Sequence, residues 1–264
     1  MRRDGKDVAV TVVKVGGSLL ADAGRLKAVL AGLADGRDGP AVIVPGGGPF
    51  ADAVRAAQDV LGFGDPLAHR LALEAMGHMA AVFREVEPRL RIVSDEDEAG
   101  VLPVSGAAVW DPVRLRGGHA EIAETWAVTS DSLALWLATR LRAARCILVK
   151  SALCPAGADP AALAGRGLVD RAFPEFARRF GGEIVIRGPH GQAVLNRGRT
   201  AGNPSSPPSP HPEVPAPAGF EGALRKSQPS LAVGSFEARR RPAPQDEGGS
   251  GRLALRDRGG DAAP

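Results

Sequence analysis

The sequence predicts an α/β fold, a three-layer αβα sandwich with a mainly parallel central sheet, followed by a disordered C-terminal tail. Three observations carry that expectation. Short runs rich in β-branched residues alternate with stretches of helical periodicity, the pattern of strand–helix–strand units. Two of those runs end in glycine turns, Gly16-Gly17-Ser18 and Gly46-Gly47-Gly48. Beyond about residue 190 the composition changes, and eleven of the 22 prolines fall in 201–264.

Val10–Val15 and Ala41–Val44 are too short and too β-branched for helices, so both read as buried strands. Leu26, Val29, Leu30 and Leu33 form one face of a helix that Asp35–Pro40 stops. After the second turn, Pro49 suits a first helical position, and Phe50, Val54, Ala57 and Leu61 are expected to face inward. Asp65-Pro66 opens another helix, with Leu71, Ala75, Met79, Val82 and Val86 as its stripe, which ends before Pro88. Strands are expected at 90–93, 101–104 and 107–110, with an acidic loop at 95–98. Thr129 and Ser130 are natural helix caps ahead of a buried stripe of Leu133, Leu137 and Leu141. Cys146–Val149 is a buried strand that ends at Lys150-Ser151, and Glu183–Arg187 is expected to be the last strand of the domain. The tail, 191–264, has no apolar periodicity with which to offset its ordering entropy.

Composition excludes several function classes. The net charge is only +3, its signs are interspersed, and aromatic residues make up 4% with no tyrosine, so nucleic-acid binding gets no support. No apolar run approaches the roughly 18 residues of a membrane span. Two cysteines, one inside an apolar run, argue for a reducing compartment and against a cysteine-built metal site. A cytoplasmic protein is expected.

The two turns predict an anion cradle. Glycine lets backbone N–H groups approach a phosphate, and the helix that follows presents its free N–H groups and positive dipole end to the same charge. The nucleotide P-loop pattern fails, because neither turn supplies its lysine and hydroxyl at the required spacing. Gly46-x-Gly48-x-x-Ala51 matches the loose dinucleotide fingerprint, but it is not in the first strand–helix unit and lacks the later acid. Phosphoryl transfer with lysines on separate strand ends fits the whole set. Lys14, between a buried strand and Gly-Gly, is costly there unless an anion meets it, and Lys150 is placed similarly.

These motifs resemble the amino acid kinase superfamily. They are Lys14-Val15-Gly16-Gly17-Ser18, the triple glycine at 46–48, Ala68-His69, Trp126-Ala127-Val128-Thr129-Ser130-Asp131-Ser132 and Val149-Lys150-Ser151. The Ala68-His69 and Trp126–Ser132 stretches are most similar to the subgroup of small kinases in methanofuran biosynthesis, which phosphorylate an aminomethylfuran phosphate with ATP. The resemblance implies an amino acid kinase-like domain over 8–190, with acceptor bound by about 8–145 and ATP by about 146–190. It implies Lys14, Lys150 and Asp131 as catalytic residues, with Asp131 orienting the lysines or holding Mg²⁺ through water. Gly16, Gly17, Ser18, Gly46, Gly47 and Ser151 would bind phosphate and ATP; Gly48, His69, Thr129, Ser130 and Ser132 would bind the acceptor. For several of these a plainer reading stands beside it: ordinary tight turns, a helix cap at 129–132, a satisfied core histidine. The cofactors implied are ATP and Mg²⁺, with no protein metal site, and the partners are a small phosphate acceptor and further copies of the chain in a homo-oligomer. A kinase for a nucleoside monophosphate or an amino acid carboxylate remains open, as does a non-catalytic anion binder. Ala152–Gly157 departs from the turn usual in similar kinases, and the tail stands where the nucleotide portion would end.

Overall fold

The computed structural model describes residues 10–95, 106–152 and 159–196, all within one compact unit, Met1–Ser205. Seven strands form one sheet: β1 (Thr11–Val15), β2 (Ala41–Pro45), β3 (Arg91–Val93), β4 (Ala107–Trp110), β5 (Arg145–Val149), β6 (Glu183–Arg187) and β7 (Gln192–Asn196). Their order is β3-β4-β2-β1-β5-β6-β7, parallel throughout except for the β6–β7 pair. The central strands carry unbroken apolar runs because both faces are covered, as a parallel sheet requires. Val12, Val42, Leu148 and Ile186 point to one face; Val13, Ile43, Ile147 and Val185 point to the other. Each face has its own buried cluster, so the sandwich is three layers deep.

The helices are α1 (Ala23–Ala34), α2 (Gly48–Leu61), α3 (Asp65–Val86), α4 (Ser130–Arg140), α5 (Pro160–Gly165) and α6 (Phe173–Arg179). α1 covers the Val13 face through Leu26, Leu30 and Leu33, as the periodicity predicts. α4 covers the Val12 face with Leu133, Leu135 and Leu137 all inside, and α6 adds Phe173 and Phe176. α3 serves both clusters, with Leu73 and Met76 in one and Met79, Ala80 and Phe83 in the other.

Three expectations need correction. On α2 the face expected to be inward is largely outward: Phe50 is 43% and Leu61 74% exposed, and Ala51 is the buried residue. The helix packs chiefly on α3 rather than on the sheet, so it needs small residues at the contact, and periodicity alone does not say which face has a partner. On α3, Ala75 and Met79 are buried as expected, whereas Val86 is exposed and Ala68, Leu73, Met76 and Phe83 are inside instead. Glu183–Arg187 is not the last strand, since β7 returns antiparallel along it inside the segment assigned to the tail. The acidic run beyond Asp95, the strand at 101–104, most of the 152–157 turn and the tail from residue 197 lie outside the described residues.

Candidate active site

Chain order reverses direction across the sheet between β1 and β5. From β1 the chain runs outward through β2 towards β4, then returns to lay β5 on the other side of β1. In an open α/β sheet, the crevice beyond the carboxyl ends of the strands at such a switch point is where ligands bind. Val15 is in register with Pro45 on one side and Val149 on the other, so Gly16, Gly46 and Lys150 all emerge at the same edge.

The two glycine turns meet there, backbone on backbone. The Gly46 N–H donates to the Val15 carbonyl at 2.8 Å. A Cβ on Gly17 would lie 2.3 Å from the Cα of Gly48, and one on Gly46 would lie 3.0 Å from the Gly17 nitrogen. Gly48 adopts φ +53°, in the left-handed region that favours glycine, and opens α2. Ser151 continues the row from β5, its hydroxyl donating to that of Ser18 at 3.2 Å.

Asp131, on the first turn of α4, receives both lysines. Lys14 Nζ lies 3.0 Å from Oδ1, and Lys150 Nζ lies 2.8 Å from Oδ1 and 2.7 Å from Oδ2. All three side chains are buried or nearly so. Two cations and one carboxylate leave a positive charge without a counter-ion inside the trio, at the point where the glycine turns meet. Burial works against the Asp131 carboxylate, but Lys14 and Lys150 outweigh it and hold its pKa below the usual range. Burial and the neighbouring Lys14 bring Lys150 down to about 8, with Asp131 and Asp170 acting against them. Arg25 on α1 fixes the same strand end from the main-chain side, donating to the Lys150 carbonyl at 2.8 Å.

A cleft of about 370 Å³ opens beside this cluster, reached by Lys14, Gly17, Ser18, Gly46, Gly47, Gly48, Thr129 and Ser130. Its far wall is apolar and aromatic, with Met76, Val128, Leu133 and Trp126. Trp126 is fixed by donating from Nε1 to Gln58 Oε1 at 2.6 Å, and the Arg55 guanidinium lies 4.1 Å from its ring centre. His69 also lines the cleft but is 4% exposed. Its Nδ1 donates to the Thr125 carbonyl at 3.2 Å, Nε2 has no partner among the described residues, and burial lowers its pKa, which favours the neutral ring.

Nearly every residue singled out from the sequence therefore comes to one place. Ser132 does not: it is fully buried and its hydroxyl is taken by Asp170, because the helix turns it away from the cleft towards α6. Thr129 occupies the cap position of α4, yet its hydroxyl also goes to Asp170 at 2.8 Å rather than capping its own helix. Asp170 and Arg25 were not legible in the sequence. The partners that matter for the site lie 38 to 125 positions away, and the local contact from the Phe173 N–H to Asp170 marks no motif. Among the described residues, no group of three His, Cys, Asp or Glu side chains could hold a metal ion, and no helix is long and apolar enough to cross a membrane.

Comparison with known proteins bears on the fold and the family. Residues 9–87 match the model of the amino acid kinase family. The chain is 29% identical over 196 residues to a [5-(aminomethyl)furan-3-yl]methyl phosphate kinase of Methanocaldococcus jannaschii, covering 70% of this chain and 91% of that protein. Among solved structures, an aspartate kinase from Synechocystis shares the fold with a TM-score of 0.54 and 16% identity, over 74% of this chain and 41% of that one. A UMP kinase from Ureaplasma parvum does so with a TM-score of 0.52 and 11% identity, over 72% and 99%. The resemblance read from the motifs is borne out, and with it the enzyme class, a phosphotransferase.

Proposed function

We propose that the protein is an ATP-dependent small-molecule kinase that transfers the γ-phosphoryl group to a phosphate monoester, with (5-(aminomethyl)furan-3-yl)methyl phosphate as the acceptor and its diphosphate as the product. The observation that carries the reading is the Lys14–Asp131–Lys150 cluster, positive in sum, set against two abutting glycine turns and open to a cleft. Phosphoryl transfer asks mainly for positioning and for charge stabilisation on the transferred group. Lys14 and Lys150 supply the charge, and Asp131 holds their ammonium groups a fixed distance apart. The amides of Gly16, Gly17 and Gly47, with Ser18 and Ser151, would hold the nucleotide's phosphates, whereas the Gly46 N–H, expected from the sequence to do the same, donates to the Val15 carbonyl and shapes the turn instead. Gly48, Ser130 and the Trp126 wall would hold the acceptor, whose flat ring suits an apolar face; Thr129 lines the cleft with both its donors engaged by Asp170, and His69 backs the wall. The two lysines at the turns and the methyl-free cradle fit a polyphosphate, and Mg²⁺ would be carried on the nucleotide's own oxygens, where it supplies charge neutralisation. The same resemblance supports a homo-oligomer, readable by light scattering, and the sparse cysteines support a reducing compartment, the cytoplasm.

The deciding experiment mixes the full-length protein with ATP, Mg²⁺ and a panel of acceptors and follows ADP release. Turnover confined to the furan phosphate supports the proposal. Turnover with uridylate or with aspartate moves the acceptor to another small acid, and nucleotide binding without turnover on any member leaves a non-catalytic anion binder.

Lys150 gives a second expected result. With its pKa near 8 in the free protein, it is partly neutral at that pH, and bound phosphate favours its charged form. Nucleotide binding at pH 8 should therefore take up a substantial fraction of a proton. Calorimetry in two buffers of different ionisation enthalpy reads that uptake directly, and identical heats would remove Lys150 from the phosphate site.

A further inference from the structure

We infer that Asp170 is a positioning residue: its carboxylate, seated between the starts of α4 and α6, sets the first turn of α4 and so fixes Asp131 between the two lysines. The contacts that carry this are all accepted by one side chain. Oδ2 accepts from the Thr129 N–H at 2.9 Å, the Thr129 hydroxyl at 2.8 Å and the Ser132 N–H at 3.0 Å. Oδ1 accepts from the Ser132 hydroxyl and from the Phe173 N–H at 2.9 Å. Asp131 lies between Thr129 and Ser132, so both neighbours on its turn are tied to the same carboxylate.

Helix α4 has no side-chain cap of its own. The N–H groups of its first turn lack intrahelical partners, and a remote carboxylate here does the work a local cap usually does. Helix starts also favour negative charge, and Asp170 faces two of them. The groups around it are the charged set of the site: Asp131 acts on Asp170, and Asp170 acts on Lys150. An amide cannot replace it. Both carboxylate oxygens face N–H donors, so an Asn at this position would turn its own N–H₂ against either the Thr129–Ser132 pair or Phe173.

The inference rests on the kinase reading for its kinetic arm alone. In the full-length protein, Asp170→Asn and Asp170→Glu are compared with the unaltered chain by ADP release, thermal midpoint and the ¹⁵N chemical shifts of the lysine Nζ groups without ligand. Asp170→Asn is expected to lower kcat about tenfold or more while leaving KM for ATP within about twofold, since the cradle of 16–17 and 46–47 is untouched. The Lys14 and Lys150 Nζ resonances should move. Asp170→Glu, which keeps the charge and both acceptor oxygens, should recover part of kcat. A folded Asp170→Asn with unaltered kcat and unmoved resonances overturns the inference, as does a kcat loss matched by an equal rise in KM with the resonances unmoved. Should Asp170→Asn not fold, an Asp170→Glu protein with unaltered kcat and resonances overturns it equally. If no acceptor gives turnover in the unaltered chain, the kinase reading fails by itself, and the resonances still decide whether Asp170 sets the cluster.

Discussion

Lys14→Ala is expected to lower kcat at least about 10²-fold, equivalent to about 2.7 kcal/mol of transition-state stabilisation. The lysine lies at the end of β1, its Nζ beside Gly16, where a Cβ would come within 2.9 Å of it. That places one ammonium where the glycine turns converge, and alanine leaves nothing in its stead. Asp131 keeps its two contacts to Lys150, so the carboxylate is not orphaned and the thermal midpoint should change little. Lys14→Arg should not restore the rate, because the space beside Gly16 suits a compact ammonium and not a planar guanidinium. Steady-state ADP release with the furan phosphate checks both variants. A Lys14→Ala enzyme as fast as the unaltered one would take this residue out of the chemistry and leave the cradle as a binding device only.

Asp131→Asn is expected to act on stability as well as on rate. The substitution removes the one acid that contacts both buried ammonium groups, and removing one partner of a buried ionic cluster costs about 3 kcal/mol or more. The outcome should be a lowered thermal midpoint that bound ATP partly restores, because phosphate supplies the missing negative charge. Asp131 raises the Lys150 pKa from below, so its loss drives Lys150 further towards the neutral form at pH 7 to 8. The rate should fall about 10²-fold or more near neutral pH, and some of that loss should be recovered as pH is lowered and Lys150 regains its proton. For the Asp131 carboxyl itself, a folded pKa below the ordinary one means a stabilising contribution that is full above the usual carboxylate range and fades as pH falls through the depressed value. Thermal melts across pH with and without nucleotide, together with kcat, test this. A variant with unchanged midpoint and rate would show that the lysines do not need the acid.

Much of this site was legible in the sequence for one physical reason. A strand end that carries a lysine before paired glycines is hard to explain by packing, and on the two parallel strands beside it the triple-glycine turn and Lys150 emerge at the same edge. Asp131 was legible too, since an acid on a helix start among hydroxyls is a local pattern. The face of α2 was not, because Phe50 and Leu61 have the spacing of a buried stripe and only the position of α3 decides that they stay outside. β7 was missed because nothing in Gln192–Asn196 marks it until β6 offers an edge to pair with. Asp170 escaped for a related reason: its significance lies in Thr129 and Ser132, and folding alone makes them its neighbours.

The contact between Gly17 and Gly48 has a consequence for the geometry of transfer. Nothing as large as a methyl group separates the two turns, so no rotamer can open or shut the interval between them. Main chain rests on main chain, and the spacing of the amides on either side is as stiff as the sheet that carries them. On the proposed reading, the distance from the nucleotide's phosphates to an acceptor beside Gly48 is thereby set by main chain and not by side-chain choice.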